Sequence, residues 1–146
     1  METDYVKRAG ELFMTGCNCS ESLFAAFAGR YGIDEAQALK MSIGLGGGVG
    51  RMREVCGAVT AAATVLGLEY GSGEEGGADK LFVYEKVQRL CAEFKKKYPA
   101  LICRDLLGET DTGGAPAERT EEYYKTRPCL SIIQYTAEIL SRMLDE

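Results

Sequence analysis

The residues in this chain that could do chemistry are its cysteines: Cys17, Cys19, Cys56, Cys91, Cys103 and Cys129, in a sequence with no histidine. A thiolate is both a nucleophile and a soft metal ligand. The missing imidazole excludes a Ser-His-Asp triad, a Cys-His dyad, a His metal ligand and His-ligated haem from within this chain. No two cysteines stand as Cys-x-x-Cys, which removes the thioredoxin motif, zinc-ribbon spacing and c-type haem attachment. The clustered ferredoxin run is absent too. Any shared site must therefore be assembled by folding.

The elements that would position these thiols are helical. Tyr5, Val6, Ala9, Leu12 and Phe13 recur at helical spacing, and Gly16 ends that helix. Leu23, Phe24, Phe27, Ala28 and Tyr31 make a second stripe that Gly32 stops. Asp34 starts a third helix. Gly44-Leu45-Gly46-Gly47-Gly48-Val49-Gly50 reads as a loop, because glycine is costly inside a helix. A small-residue helix follows from about Val55 to Leu66, closed by Gly67, and Gly71 to Gly77 is a turn. The longest periodic stretch runs from about Ala78 to Tyr98, with Val83, Val87, Leu90, Cys91, Phe94 and Tyr98 on one face and Pro99 ending it. Residues 108–117 read as an exposed loop. A last helix starts near Pro128 and turns Ile132, Ile133, Thr136, Ile139, Leu140 and Met143 inward. With no alternating strand, the expected fold is all-α, an irregular bundle of five to six helices forming one domain over residues 1–146.

On this map four cysteines fall at or near helix starts. Cys19 opens the second helix, Cys56 follows the glycine loop, Cys103 comes after Pro99, and Cys129 follows Pro128. Unpaired amide groups and the helix dipole favour a thiolate there. Cys91 sits mid-helix on an apolar face and reads as a core residue. Cys17 is an auxiliary thiol or spare ligand beside Cys19.

The 146 residues carry 17 basic and 22 acidic side chains, a net charge of -5. A broad basic surface for nucleic acid is therefore not expected. Met1-Glu2-Thr3-Asp4-Tyr5-Val6-Lys7-Arg8 is not a secretory signal, and Val55 to Leu68 is too short and glycine-broken to span a bilayer. We expect a cytoplasmic protein without membrane insertion, where thiols stay reduced and six cysteines suggest a metal or redox site. Asn18-Cys19-Ser20 matches a glycosylation acceptor, but only incidentally without a secretory route.

From about Gly16 onward the chain resembles the redox-active proteins called C_GCAxxG_C_C after their cysteine pattern. The matching stretches are Gly16-Cys17-Asn18-Cys19-Ser20-Glu21-Ser22, Gly46-Gly47-Gly48-Val49-Gly50-Arg51 and Cys56-Gly57-Ala58-Val59-Thr60-Ala61. Leu66-Gly67-Leu68, Cys103 and Cys129 complete the match. The family box ends in glycine where this chain has Ala61. The resemblance implies a small bacterial or archaeal protein whose four family cysteines are Cys19, Cys56, Cys103 and Cys129. The pattern is also similar to the four-cysteine domain of split-Soret cytochromes, without the haem part.

Three functional readings stay open on the sequence. In the first, Cys19, Cys56, Cys103 and Cys129 hold an iron–sulfur cluster, [2Fe–2S] or [4Fe–4S], or zinc, for electron transfer or redox sensing with an unknown redox partner. In the second, a low-pKa Cys56 activated by Arg51 or Arg53 performs thiol–disulfide exchange with a resolving cysteine. In the third, the chain is a non-catalytic helical adaptor with core cysteines. The glycine loop is not a nucleotide site: it has no GxGxxG in register and no P-loop ending, and it follows a helix. Phosphate capture by Arg51 has no specific support in the sequence. The small-residue helix could support a homodimer. Tyr123-Tyr124 could pack on the core or on a partner.

Overall fold

Short polar caps and apolar stripes set the helices. Asp4 accepts the Lys7 N–H at 3.0 Å and opens α1 (Tyr5–Met14). Asn18 caps α2 (Cys19–Ala28), and Asp34 accepts the Gln37 N–H at 2.9 Å to open α3 (Glu35–Ser42). Then come α4 (Gly57–Tyr70), α5 (Lys80–Phe94) and the short α6 (Cys103–Leu107). Thr120 caps α7 (Glu121–Thr126), and α8 (Cys129–Leu144) closes the chain. The structure, a computed structural model, describes residues 4–77, 79–108 and 112–146. The fold is all-α, with six helices longer than the two short ones. Among the described residues the one extended contact is an isolated antiparallel bridge between Val55 and Ile102.

α4 is the central helix. It packs against α2, α5 and α8, while α1 lies on α2 and α8. Gly57, Ala58, Val59, Ala61, Ala62, Val65 and Leu66 of α4 are buried, so it is apolar nearly all round, as a core helix should be. The methyl of Ala61 sits fully inside. These small residues are used within the chain's own core and carry no argument for a dimer. Phe13, Phe24, Phe27, Phe94 and Leu140 fill the rest of the interior.

Three expectations change. α4 does not stop at Gly67 but runs to Tyr70, and Gly71 caps it by donating to the Gly67 carbonyl at 2.8 Å. Glycine costs a helix about 1 kcal/mol. Buried Leu66 on one side, and Tyr70 stacked edge-on to Phe82 on the other, offset that. α5 is shorter than the Ala78 to Tyr98 stretch; Ala78 lies outside the described residues, as do 109–111 of the expected loop. α5 buries only Leu90 and Phe94, so Cys91 is half-buried at its edge rather than in the core. Residues 112–117 are irregular, as expected. No helix among the described residues is long and apolar enough to cross a membrane.

Burial separates two substitutions. Leu66→Ala should lower stability by about 2–5 kcal/mol, whereas Cys91→Ala should cost less than about 1 kcal/mol. Equilibrium urea unfolding measures both, and equal costs would contradict the placement of α5 at the edge.

Candidate functional site

The four expected cysteines do stand at helix starts. Cys19, Cys103 and Cys129 are the first residues of α2, α6 and α8, and Cys56 is the N-cap of α4. Each start is held differently. At α2, Asn18 Oδ1 accepts the Glu21 N–H at 2.9 Å and the Glu21 carboxylate accepts the Asn18 N–H at 3.0 Å, a reciprocal capping box. The same asparagine donates from Nδ2 to the Ile43 carbonyl at 3.0 Å, and Ser20 Oγ donates to the Ser42 carbonyl at 2.7 Å. Asn18-Cys19-Ser20 is thus the joint between α2 and the end of α3, which gives the triplet a structural role.

Cys56 and Cys103 are set by backbone pairing. The Cys56 N–H donates to the Leu101 carbonyl at 2.8 Å, and the Cys103 N–H donates to the Glu54 carbonyl at 2.6 Å, on either side of the Val55–Ile102 bridge. The glycine loop feeds this bridge through unusual backbone. Gly47, Gly48, Val49, Gly50 and Arg51 all have positive φ, and so does Arg53 at 61°. The three non-glycine residues carry strain of order 1–2 kcal/mol each. The reason for glycine is plainest at Gly48, where a Cβ would stand 2.7 Å from the Cys103 Cβ and 2.6 Å from the Glu54 nitrogen. The loop ends in Arg53, a guanidinium only 3% exposed, which donates to Cys103 Sγ at 3.7 Å.

Arg119 fastens the last segment over the other side. It donates to the Cys17 carbonyl at 2.9 Å and the Phe13 carbonyl at 3.4 Å. Its guanidinium lies 4.5 Å from the Phe13 ring centre and 4.8 Å from that of Tyr123. Arg127 stacks on Tyr123 as well, at 4.8 Å. Tyr124 meets Phe13 edge-on at 5.7 Å, so the tyrosine pair packs on its own chain.

These pieces enclose a cavity of about 60 Å³ walled by Cys19, Cys56, Cys103 and Cys129, with Gly48 and Arg53. Cys17 and Cys91 do not line it. All six cysteines are free thiols. The neighbouring Cys19 and Cys129 thiols shift one another, raising the Cys19 pKa and lowering that of Cys129. Burial opposes the lowering at Cys129, while Arg127, Arg119 and Arg53 add to it. Burial pushes the Cys56 thiol up to about 12 despite amide donors at Ala58 and Val59. Cys103 is raised by burial too, less so because Arg53 faces it. The expectation of a low-pKa Cys56 therefore fails: the desolvation cost exceeds the benefit of the helix start, and the lowered thiol is Cys129. Arg53 reaches the cavity, but beside Cys103, and Arg51 lines a different space. Among the described residues no three or more Cys, Asp or Glu side chains gather tightly enough to hold one metal ion in this arrangement.

The family described as "Putative redox-active protein (C_GCAxxG_C_C)" matches residues 17–143. The chain belongs to this family. No curated protein and no solved structure matches it. The C_GCAxxG_C_C match spans all four cavity cysteines and the arginines around them. Arg119 and Arg127 escaped the sequence reading, although they bracket the Tyr123-Tyr124 pair on which guanidinium groups stack.

Two outcomes follow from this geometry. Gly48→Ala should lower stability by roughly 1–3 kcal/mol and speed alkylation of Cys103 as the loop is forced off it; unchanged reactivity would contradict the close packing. The second concerns pH. In the reduced, metal-free chain the unfolded state releases thiol protons from about pH 8.5, while the folded state keeps Cys56 protonated up to about 12. Between those limits the unfolded state binds fewer protons, so stability falls as pH rises, by up to about 1.4 kcal/mol per pH unit for that thiol. Urea unfolding across this alkaline range, with Cys56→Ala as comparison, reads the slope.

Proposed function

We propose that this chain is a small redox protein whose working centre is the four-cysteine cavity, and that Cys19, Cys56, Cys103 and Cys129 hold an iron–sulfur cluster there for electron transfer or redox sensing. One observation carries the reading: thiols from four distant segments line one buried cavity. Four thiolates suit such a cluster, and when bound it would supply one-electron chemistry. The chain's own residues would stabilise its negative charge. Arg53 donates to the Cys103 sulfur. Hydrogen bonds to cluster sulfurs raise the reduction potential.

A second reading rests on the Cys19–Cys129 contact. The Cys129 thiolate would attack a partner disulfide and release one partner thiolate. Cys19, deprotonated, would then displace the second, leaving a Cys19–Cys129 disulfide and a reduced partner. The two electrons pass from the cysteine pair to the partner, and the thiol protons to the released thiolates.

Anaerobic purification followed by an absorption spectrum and iron and acid-labile sulfide analysis tests the first reading. Visible charge-transfer bands with stoichiometric iron and sulfide, both lost in Cys56→Ser with the helical signal retained, are the expected result. A colourless protein that takes up no iron and sulfide on reconstitution would overturn it. A Cys19–Cys129 disulfide formed on oxidation would then favour the second.

A further inference from the structure

Outside the cysteine cavity lies a larger cleft of about 280 Å³, open to solvent. Arg53, Arg119 and Arg127 line both spaces, so the two share a wall, and Arg51 lines only the outer one. Four of the chain's arginines thus meet at one concavity, while no Asp or Glu among the described residues lines it. This happens in a protein of net charge -5, against the overall balance. The remaining wall is small or neutral, including Gly46, Gly47, Pro116 and Asn18.

We propose that this cleft binds a small oxyanion, of the carboxylate, sulfate or phosphate class, beside the cysteine cavity. Arginine suits this role: its planar fork of N–H donors matches two oxygens of one anion, and it stays charged at any working pH. The arginines are held in place before any ligand arrives. Arg119 is fixed by carbonyls and rings, and Arg53 is fixed by burial. Arg51 is tied to the opposite wall: its guanidinium donates to the Gly113 carbonyl, and the Gly113 N–H donates back to the Arg51 carbonyl at 3.1 Å. That bond uses one of five guanidinium N–H donors. The volume fits a small molecule and is below the span of most drug-sized pockets. Compensation of the sulfurs' charge explains Arg53 and Arg127, but not Arg51, which the cysteine cavity does not touch. The site would seat an anion across a shared wall of arginines from the thiols, whether or not they carry a cluster.

Calorimetric titration of the full chain with sodium sulfate, inorganic phosphate and succinate, against chloride at equal ionic strength, tests the assignment. At least one oxyanion should bind saturably at one site per chain. Arg51→Gly and Arg51→Gln should each weaken it tenfold or more, while Arg89→Ala, on α5, should not change it. Arg51→Gly is the gentler variant, since the φ of 63° at this position is one that glycine adopts freely. Unmutated protein gives an independent readout, because a bound anion raises the unfolding temperature beyond the effect of chloride. The proposal is overturned by no saturable binding of any of the three anions, by no extra thermal stabilisation, or by binding that both folded Arg51 variants retain. Iron and thiol content of the same samples, unchanged between wild type and variants, separates a failure here from a failure of the cluster reading.

Discussion

Two backbone hydrogen bonds organise this molecule. Cys56 N–H to Leu101 and Cys103 N–H to Glu54 join the entry of the central helix to the entry of α6. Without them the glycine loop would have no fixed end, and α4 and α6 would start independently of one another. With them, Cys56 and Cys103 are locked as neighbours across the Val55–Ile102 bridge. α2 then adds Cys19 through the Asn18 joint, and α8 adds Cys129 beneath Tyr123. The helices supply the burial, but a single extended contact supplies the register.

Burial and charge pull the thiols in opposite directions. A helix start lowers a thiol's pKa only where the cost of desolvation is smaller than the benefit of the amides and dipole. At Cys56, fully enclosed by α4 and its neighbours, desolvation wins. At Cys129 the neighbouring Cys19 thiol and three guanidinium groups win. Four sulfurs in similar local positions therefore differ because their surroundings differ. A bound group of opposite formal charge would act on all four at once.

Much of the plan was legible in the sequence because short-range chemistry carries it. Gly16, Asp34 and Pro128 punctuate helices by local rules, and from such marks the four cysteines could be placed at helix starts. What escaped is long-range. The bridge pairs residues on either side of α4 and α5, and nothing in Val55 or Ile102 announces it. Arg119 acts on carbonyls at the end of α1, far away in the chain. The order of the thiol pKa values depends on enclosure, which no helix map gives. Gly67 misled for a related reason: its local cost is real, but packing on both sides of it is stronger. The family match came through because the spacing pattern itself records these distant constraints.

The wide separation of the four cysteines along the chain has a consequence for synthesis. The segment bearing Cys129 leaves the ribosome after α2, α4 and α6 have emerged. Until then three thiols wait in an unfinished pocket, open on the side that α8 will cover. In that interval they are exposed to stray copper, zinc and oxidants, and a premature crosslink among them would bar α8 from docking.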